Sequence, residues 1–366
     1  MIKISKILVL GSGQMGRAIA YDLSIFSDFK KITICDKKSN IKNLNDEKIN
    51  FLKLDVSDEN KTKKCFQEYD TVISAVPYLF NYDLTKISID TNTNFLDLGG
   101  NNTIVEKQKN LSDKAEKQDV TIIPDCGLAP GLVSIITKDI YETLDEVKSV
   151  HLRVGGLPQK PKPPLNYQIV FSPNGLLNEY IEDAIVLEDG KIMNKKSMTE
   201  VEKIFFPKPF DEMEAFITSG GCSTLPYSYK DKICNLDYKT IRYPGHCENF
   251  KKYFDLKKPR EILMDEISKN IPKNGKDLVL LKVFGDGLLD DKKTFFEYNM
   301  IDYYDEKNNI TSMMRTTGYP VSIIAQMIDK KEIKKTGVFC CEEIIPIKSF
   351  FNDLRKRNIN IDKKIS

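Results

Sequence analysis
In Ile7-Leu8-Val9-Leu10-Gly11-Ser12-Gly13-Gln14-Met15-Gly16 a short apolar run passes directly into a glycine motif. The four leading apolar residues suffice for a buried strand and are too few for a helix. The G-x-G-x-x-G that follows opens a run in which Ala18, Ile19, Ala20 and Leu23 recur at helical spacing. In such a turn, Gly11 permits the sharp exit from the strand, Gly13 lets backbone approach a pyrophosphate, and Gly16 lets helix and strand pack closely. The amide groups of Ser12, Gln14 and Met15 lie at the positive end of the new helix, where phosphate is favoured. Alone, the motif also describes a structural glycine turn. Here a second strand, Lys31-Ile32-Thr33-Ile34-Cys35, ends in Asp36, 20 residues beyond Gly16. That is the place of a ribose-binding carboxylate. Strand, turn, helix and acid together predict a dinucleotide site.

Asp36 also bears on which dinucleotide. A carboxylate accepts hydrogen bonds from both ribose hydroxyls of NAD, and it repels the 2′-phosphate of NADP by roughly 1–4 kcal/mol. Lys37 and Lys38 offer that phosphate a partner, although two solvated lysines in a lysine-rich chain are the plainer reading. NAD is the expected cofactor.

The chain of 366 residues suits about two domains. With 55 basic against 53 acidic residues, it carries no global field for nucleic acid or a membrane surface. No apolar run approaches the roughly 18 residues of a membrane span. The first apolar run leads straight into the glycine motif, which argues against a signal peptide. Eight cysteines without a C-x-x-C, beside two histidines, predict neither zinc nor a disulfide framework. Reduced thiols in a cytoplasmic enzyme, with no metal, are the expectation.

After Asp36 a Lys- and Asn-rich stretch leads to a strand at Phe51–Leu54 and then to Asp55-Val56. Both are candidates for the adenine end of a cofactor, with helix capping as the alternative for Asp55. The next strand, Asp70 to Val76, ends in Ala75-Val76-Pro77, small residues where a cofactor must cross the sheet. Further strands end at Asp97 and at Pro124-Asp125. Strands alternating with helical segments describe a doubly wound parallel sheet, whose ligands bind beyond the carboxyl ends of its strands. Asp36, Asp55, Asp97 and Asp125 all fall at such ends. Near residue 145 the pattern changes to alternation, with strands or helices at 171–180, 238–243, 278–284 and 294–298. The expected architecture is α/β: a Rossmann-type domain over residues 1–130 and an α+β substrate-binding and dimerisation domain over 131–310. A segment at 311–366 returns to the first domain through a helix at Tyr319–Met327, with Arg315 to Gly318 as its approach and a frayed end at Asp362-Lys363-Lys364.

From Asp125-Cys126-Gly127-Leu128-Ala129-Pro130-Gly131-Leu132 onward the chain resembles the saccharopine dehydrogenase-like superfamily. Within it, the chain is most similar to the NAD-dependent L-lysine 6-dehydrogenases. The resemblance includes Val154-Gly155-Gly156-Leu157-Pro158, Pro163-Pro164-Leu165 with Tyr167, Glu214-Ala215-Phe216, and Thr240 to His246. Saccharopine reductases and carboxynorspermidine-type enzymes resemble one another in an aspartate before the Pro-Gly of the first block. Here that position is Ala129, which implies a simpler substrate than saccharopine.

The resemblance implies oxidative deamination at lysine C6, giving ammonia and a semialdehyde that cyclises to a piperideine carboxylate. The alternative is a saccharopine-type or carboxynorspermidine-type reductase that joins an amine to a carbonyl. A non-catalytic NAD-sensing or interaction protein that kept the fold is the reading from another class, and the intact glycine motif with Asp97, Asp125, Arg242 and His246 argues against it. The lysine ε-ammonium must lose its proton before hydride leaves, at roughly 4.6 kcal/mol at pH 7 for a pKa of about 10.4. His246 and Asp97 are the candidate bases, and Asp125 is a rival base or an anchor for a substrate ammonium. Capping or packing is the plainer duty of each. Arg242 is the candidate for the α-carboxylate, because its guanidinium fork matches that group. Tyr167 and Glu214 are candidate pocket residues, while Cys126 reads as a buried thiol and His151 as structural. The implied assembly is a homodimer.

Overall fold
The computed structural model describes residues 5–38, 47–273 and 275–366, so residues 39–46 of the Lys- and Asn-rich stretch lie outside the described residues. The chain forms two units, Met1–Ile135 with Met314–Asn358, and Ile136–Met313 with Ile359–Ser366.

In the first unit, β1 (Lys6–Leu10), β2 (Lys31–Asp36), β3 (Ile49–Lys53), β4 (Thr71–Ser74), β5 (Asn94–Asp97) and β6 (Thr121–Ile123) join a seven-stranded sheet. The sheet order runs from Gly337–Val338 through β6, β5, β4, β1 and β2 to β3, and every pairing is parallel. Ile7 to Leu10 and Thr71 to Ser74 are buried, as central parallel strands covered on both faces must be. The strand order reverses between β1 and β4, where Leu10 pairs with Ser74. A doubly wound sheet opens its ligand crevice at such a switch point. The helix Gln14–Phe26 buries Ala18, Ile19 and Leu23.

The segment Met314–Asn358 packs within this unit. A Cβ on Gly318 would lie 3.3 Å from the Cβ of Ala18, so glycine there allows a close helix–helix approach. Buried Asp22 accepts from Arg357 Nε at 2.7 and 2.9 Å and from Ser322 Oγ at 2.6 Å. The late helix runs from Ser312 to Asp329, so Arg315 to Gly318 lie inside it rather than on its approach. Its early start has a cause remote in sequence: the Asp277 carboxylate accepts from Ser312 N at 2.7 Å and Met313 N at 2.9 Å.

The second unit is built on a nine-stranded mixed sheet. Its strands are β7 (Glu146–Pro158), β8 (Ala184–Glu188), β9 (Lys191–Lys195), β10 (Glu202–Phe205), β11 (Glu212–Ile217), β12 (Ile233–Arg242), β13 (Asp277–Leu289), β14 (Lys292–Tyr303) and the tail Asp362–Ile365. Phe171 to Tyr180 resolves into a helix, Pro173–Ile181, with Pro173 in its first turn and Ser172 as N-cap. That position suits proline, whose missing N–H would have no intrahelical partner. Leu176 and Tyr180 of this helix pack with Phe216, Phe250, Leu263 and Ile267 in one core cluster. Each of these large apolar side chains contributes about 1.5–3 kcal/mol by leaving water.

The tail is ordered, contrary to the frayed end predicted from its charge. Asp362–Ile365 pairs antiparallel with β14, and Lys363 Nζ lies 5.2 Å from the Phe296 ring centre and 3.0 Å from Asp139. The long apolar stem of a lysine covers such rings while its charge finds a carboxylate. Among the described residues, no helix is long and apolar enough to cross a membrane.

Candidate active site
The glycine turn of the first unit is shaped by three different constraints. Gly11 has φ +92°, and a Cβ there would meet the carbonyl oxygen of Ala75 at 2.8 Å. A Cβ on Gly16 would sit 1.8 Å from the carbonyl oxygen of Gly11. Both positions therefore require glycine for the fold itself. Gly13 does not: its φ is −67°, and nothing lies within 4 Å of a Cβ placed there. Glycine without a folding reason, at the start of a helix, leaves room for a ligand to approach the backbone. A dinucleotide pyrophosphate fits that cradle. Gln14 and Met15 open the helix beside it, and Ala75, Val76 and Pro77 follow β4 across the switch point.

Asp36 reaches back to this turn. Its Oδ2 accepts from Ser12 N at 2.9 Å and Ser12 Oγ at 2.8 Å, and its Oδ1 accepts from Lys38 N at 3.1 Å. Burial works against its charge, but these donors outweigh that and hold it below the usual carboxylate range. Asp55 does something else. It is exposed and accepts from Ser57 N at 3.1 Å and Ser57 Oγ at 2.7 Å, a local turn beside Val56. The cap of the next helix is Asp58, which accepts from Lys61 N.

Asp97 and Asp125 are brought together. Asp97 is fully buried; its Oδ1 accepts from Gly99 N at 2.7 Å and Asp125 N at 3.3 Å, and its Oδ2 from Gln108 Nε2 at 2.7 Å. Burial raises its pKa against these donors. A carboxylate enclosed in this way ties two loops together, a structural duty that occupies three of its acceptor sites. Asp125, in the left-handed region at φ +60°, packs its side chain over Gly99. Cys126 is buried among backbone carbonyls, with its thiol pushed well up by burial.

The remaining predicted residues belong to the second unit. Arg242 ends β12 and is 2% exposed. Its Nε donates to Tyr180 Oη at 2.8 Å, its Nη1 donates to the carbonyl of Ile241 at 2.9 Å, and its guanidinium stacks 4.6 Å from the Tyr167 ring centre. Its Nη2 lies 3.7 Å from Glu179 Oε2. Burial opposes the charge, but Tyr180, Tyr167 and Glu179 together keep it firmly protonated.

His246 is 1% exposed, with Nδ1 2.8 Å from the Leu165 carbonyl and Nε2 3.0 Å from Tyr180 Oη. A carbonyl only accepts, so Nδ1 carries the proton and Nε2 accepts from the tyrosine. Burial, aided by the charge of Arg242, pushes its pKa down to about 3. This histidine is a neutral bracket for Tyr180 and has no lone pair left for a substrate; the expected general base is here a support for Arg242. Glu214 is likewise engaged, its two oxygens accepting from Gly245 N at 2.7 Å and Cys247 N at 2.6 Å, which fixes the start of the helix His246–Tyr253. Tyr167 is 3% exposed, and its hydroxyl has no hydrogen-bond partner among the described residues. His151 pairs with Asp237, which is also gripped bidentately by Arg153 at 3.1 Å, a structural ion cluster.

Two residues of this group were not foreseen, Glu179 and Tyr180. Their only advance signal was a helical period across 173–181 that places both near one turn.

Residues 7–123 match the saccharopine dehydrogenase NADP binding domain, and residues 127–359 match the saccharopine dehydrogenase C-terminal domain. The chain belongs to the saccharopine dehydrogenase family. Its first unit is accordingly a nicotinamide-nucleotide-binding domain. Among curated members of the saccharopine dehydrogenase family and its relatives, the Saccharomyces cerevisiae saccharopine dehydrogenase [NADP(+), L-glutamate-forming] is 25% identical over 262 residues. The Rattus norvegicus mitochondrial alpha-aminoadipic semialdehyde synthase is 28% identical over 200 residues. These matches cover 68% and 52% of this chain but only 57% and 21% of the relatives. The solved apo saccharopine dehydrogenase (L-Glu forming) from Saccharomyces cerevisiae has the same fold, with a TM-score of 0.81 and 19% identity, covering 99% of this chain and 100% of that one.

Proposed function
We propose that this member of the saccharopine dehydrogenase family is a nicotinamide-dependent oxidoreductase that oxidises the ε-amine of L-lysine. The observation carrying the reading is Arg242: a buried guanidinium, oriented by Tyr180 and keeping Nη2 outside any hydrogen bond among the described residues, in a chain whose other unit has room for a dinucleotide at Gly13. A buried fork of this kind suits an α-carboxylate. Bound nicotinamide would accept hydride from the amine-bearing carbon; water then adds to the resulting imine carbon and ammonia departs, leaving the aldehyde. The residues of this chain bind and orient the amino acid, and the ε-amine is reactive only in its neutral form. Neither His246 nor Asp97 is assigned the proton, since the lone pair of His246 is taken by Tyr180 and Asp97 is fully buried in hydrogen bonds that tie two loops.

The cofactor is read as NAD on the strength of Asp36, although the yeast relative is named for NADP(+). Ala129 favours a substrate simpler than saccharopine. The chain is read as a cytoplasmic homodimer joined through its second unit.

Absorbance of NADH, followed with L-lysine and NAD and no second substrate, tests the reaction. Ammonia release and a rate rising steeply from pH 7 to 10 support it. A rate that is flat over that range, or turnover only when an amine and a carbonyl are supplied together, favours the saccharopine-type or carboxynorspermidine-type reductase.

A further inference from the structure
The group around Arg242 contains more polar capacity than it uses. Glu179, near the end of the helix Pro173–Ile181, keeps Oε2 buried with no hydrogen-bond partner among the described residues. Its side chain is nevertheless 25% exposed, so part of the group can be reached. The buried hydroxyl of Tyr167 is in the same condition beside the same guanidinium. At 3.7 Å, Arg242 Nη2 and Glu179 Oε2 are close enough to attract and too far apart to hydrogen-bond. A buried acceptor left in this state costs about 1–3 kcal/mol, and more when charged. Nothing in the fold explains two such atoms beside one guanidinium: Glu179 caps no helix, and Arg242 is already held by Tyr180 and Ile241.

A zwitterionic amino acid explains both. Its ammonium and carboxylate form a charge pair of similar span, and laid against Arg242 and Glu179 each charge meets its opposite. We propose that Glu179 and Arg242 form a head-group clamp, with Glu179 receiving the α-ammonium while Arg242 and the Tyr167 hydroxyl receive the α-carboxylate. Glu179 is then the residue that distinguishes an α-amino acid from a plain carboxylic acid. The helix supports this choice, because its C-terminal turn carries partial negative charge that favours a cation. Burial raises the Glu179 carboxyl to about 7 against the pull of Arg242, and an arriving ammonium supplies the counter-charge that burial withholds. The assignment rests on the amino-acid reading of the preceding section and adds the recognition of the α-nitrogen.

The test separates the two. L-Norleucine carries the head group without an ε-amine, so it binds without being oxidised at C6; hexanoate lacks the α-ammonium as well. Both are titrated by calorimetry into the full chain, with and without NAD. The clamp predicts norleucine binding about ten- to hundredfold tighter than hexanoate. Glu179→Gln, nearly isosteric, should abolish that difference by weakening norleucine alone, and Glu179→Asp should restore part of it. Equal affinities in the unaltered protein, no norleucine binding at millimolar concentration, or equal weakening of both ligands by Glu179→Gln overturns the proposal. If the Gln variant fails to fold, the norleucine-to-hexanoate ratio of the unaltered protein decides. Should lysine give no NADH while norleucine is still preferred, the clamp stands and only the oxidation falls.

Discussion

Tyr180 Oη stands between Arg242 Nε, 2.8 Å away, and His246 Nε2, 3.0 Å away. The Leu165 carbonyl fixes the proton on His246 Nδ1, so the polarity of the whole row is set. The arginine donates to the tyrosine, the tyrosine donates to the histidine, and the histidine donates to backbone.

Tyr180→Phe removes the middle of this row and leaves two buried nitrogen groups without partners. Each such loss costs about 1–3 kcal/mol. Thermal unfolding should show a lower midpoint. Steady-state kinetics should show a KM for L-lysine raised about tenfold or more. The dissociation constant for the nucleotide should stay within about twofold, since no residue of this row holds the Gly13 turn. An equal loss for nucleotide and amino acid would contradict the assignment.

His246 makes stability depend on acid. Its folded pKa is about 3, against about 6.5 for an unperturbed imidazole. Between those values the unfolded chain binds the proton and the folded chain does not, so stability falls as pH drops from about 6.5 toward 3. The slope from this one group approaches about 1.4 kcal/mol per pH unit. Urea melts at a series of pH values should show that decline, and His246→Gln should flatten it while lowering stability at pH 7. The rate profile should carry no step near pH 6.5 from this residue.

Gly13 and Gly16 should separate folding from binding. A Cβ at Gly16 would collide with Gly11, so Gly16→Ala should lower the melting midpoint sharply or prevent folding. Gly13→Ala meets nothing within 4 Å and should melt like the parent. Fluorescence titration should nevertheless find its nucleotide affinity reduced about tenfold or more, because the methyl group occupies the path of the pyrophosphate.

Asp36→Ala should weaken NAD selectively and relax discrimination against NADP. Removing the carboxylate removes a repulsion of roughly 1–4 kcal/mol against the 2′-phosphate. Because Asp36 also holds Ser12, the variant should bind NAD less tightly even where NADP improves. Parallel titrations with the two nucleotides measure both changes.

The first unit was legible because each of its rules is local. Four apolar residues, three glycines and an acid at a fixed distance describe a strand, a turn, a helix and a second strand without help from the rest of the chain. The second unit was legible in outline only. Pro173 and Ser172 marked a helix start that the surrounding alternation obscured. The charged tail gave no sign that two aromatic rings of β14 awaited Lys363. The duties of His246, Glu214 and Asp97 were hidden for one reason: residue type and spacing show what a group can donate or accept, not who has already taken it. Leu165, Gly245, Cys247 and Gln108 are the takers, and three of them act through backbone. Glu179 was hidden for the opposite reason, since a lone glutamate in a lysine-rich chain reads as solvated.

The row from Leu165 to Arg242 sets the angle of the guanidinium before any guest arrives. A fork locked in advance gives up little rotational freedom on capture, and it is also intolerant of other shapes. Acids that present two oxygens in the plane of the guanidinium should seat readily, whereas those with a single acceptor oxygen forfeit part of the fork. Inhibitor chemistry aimed at this guanidinium should therefore keep two coplanar oxygens.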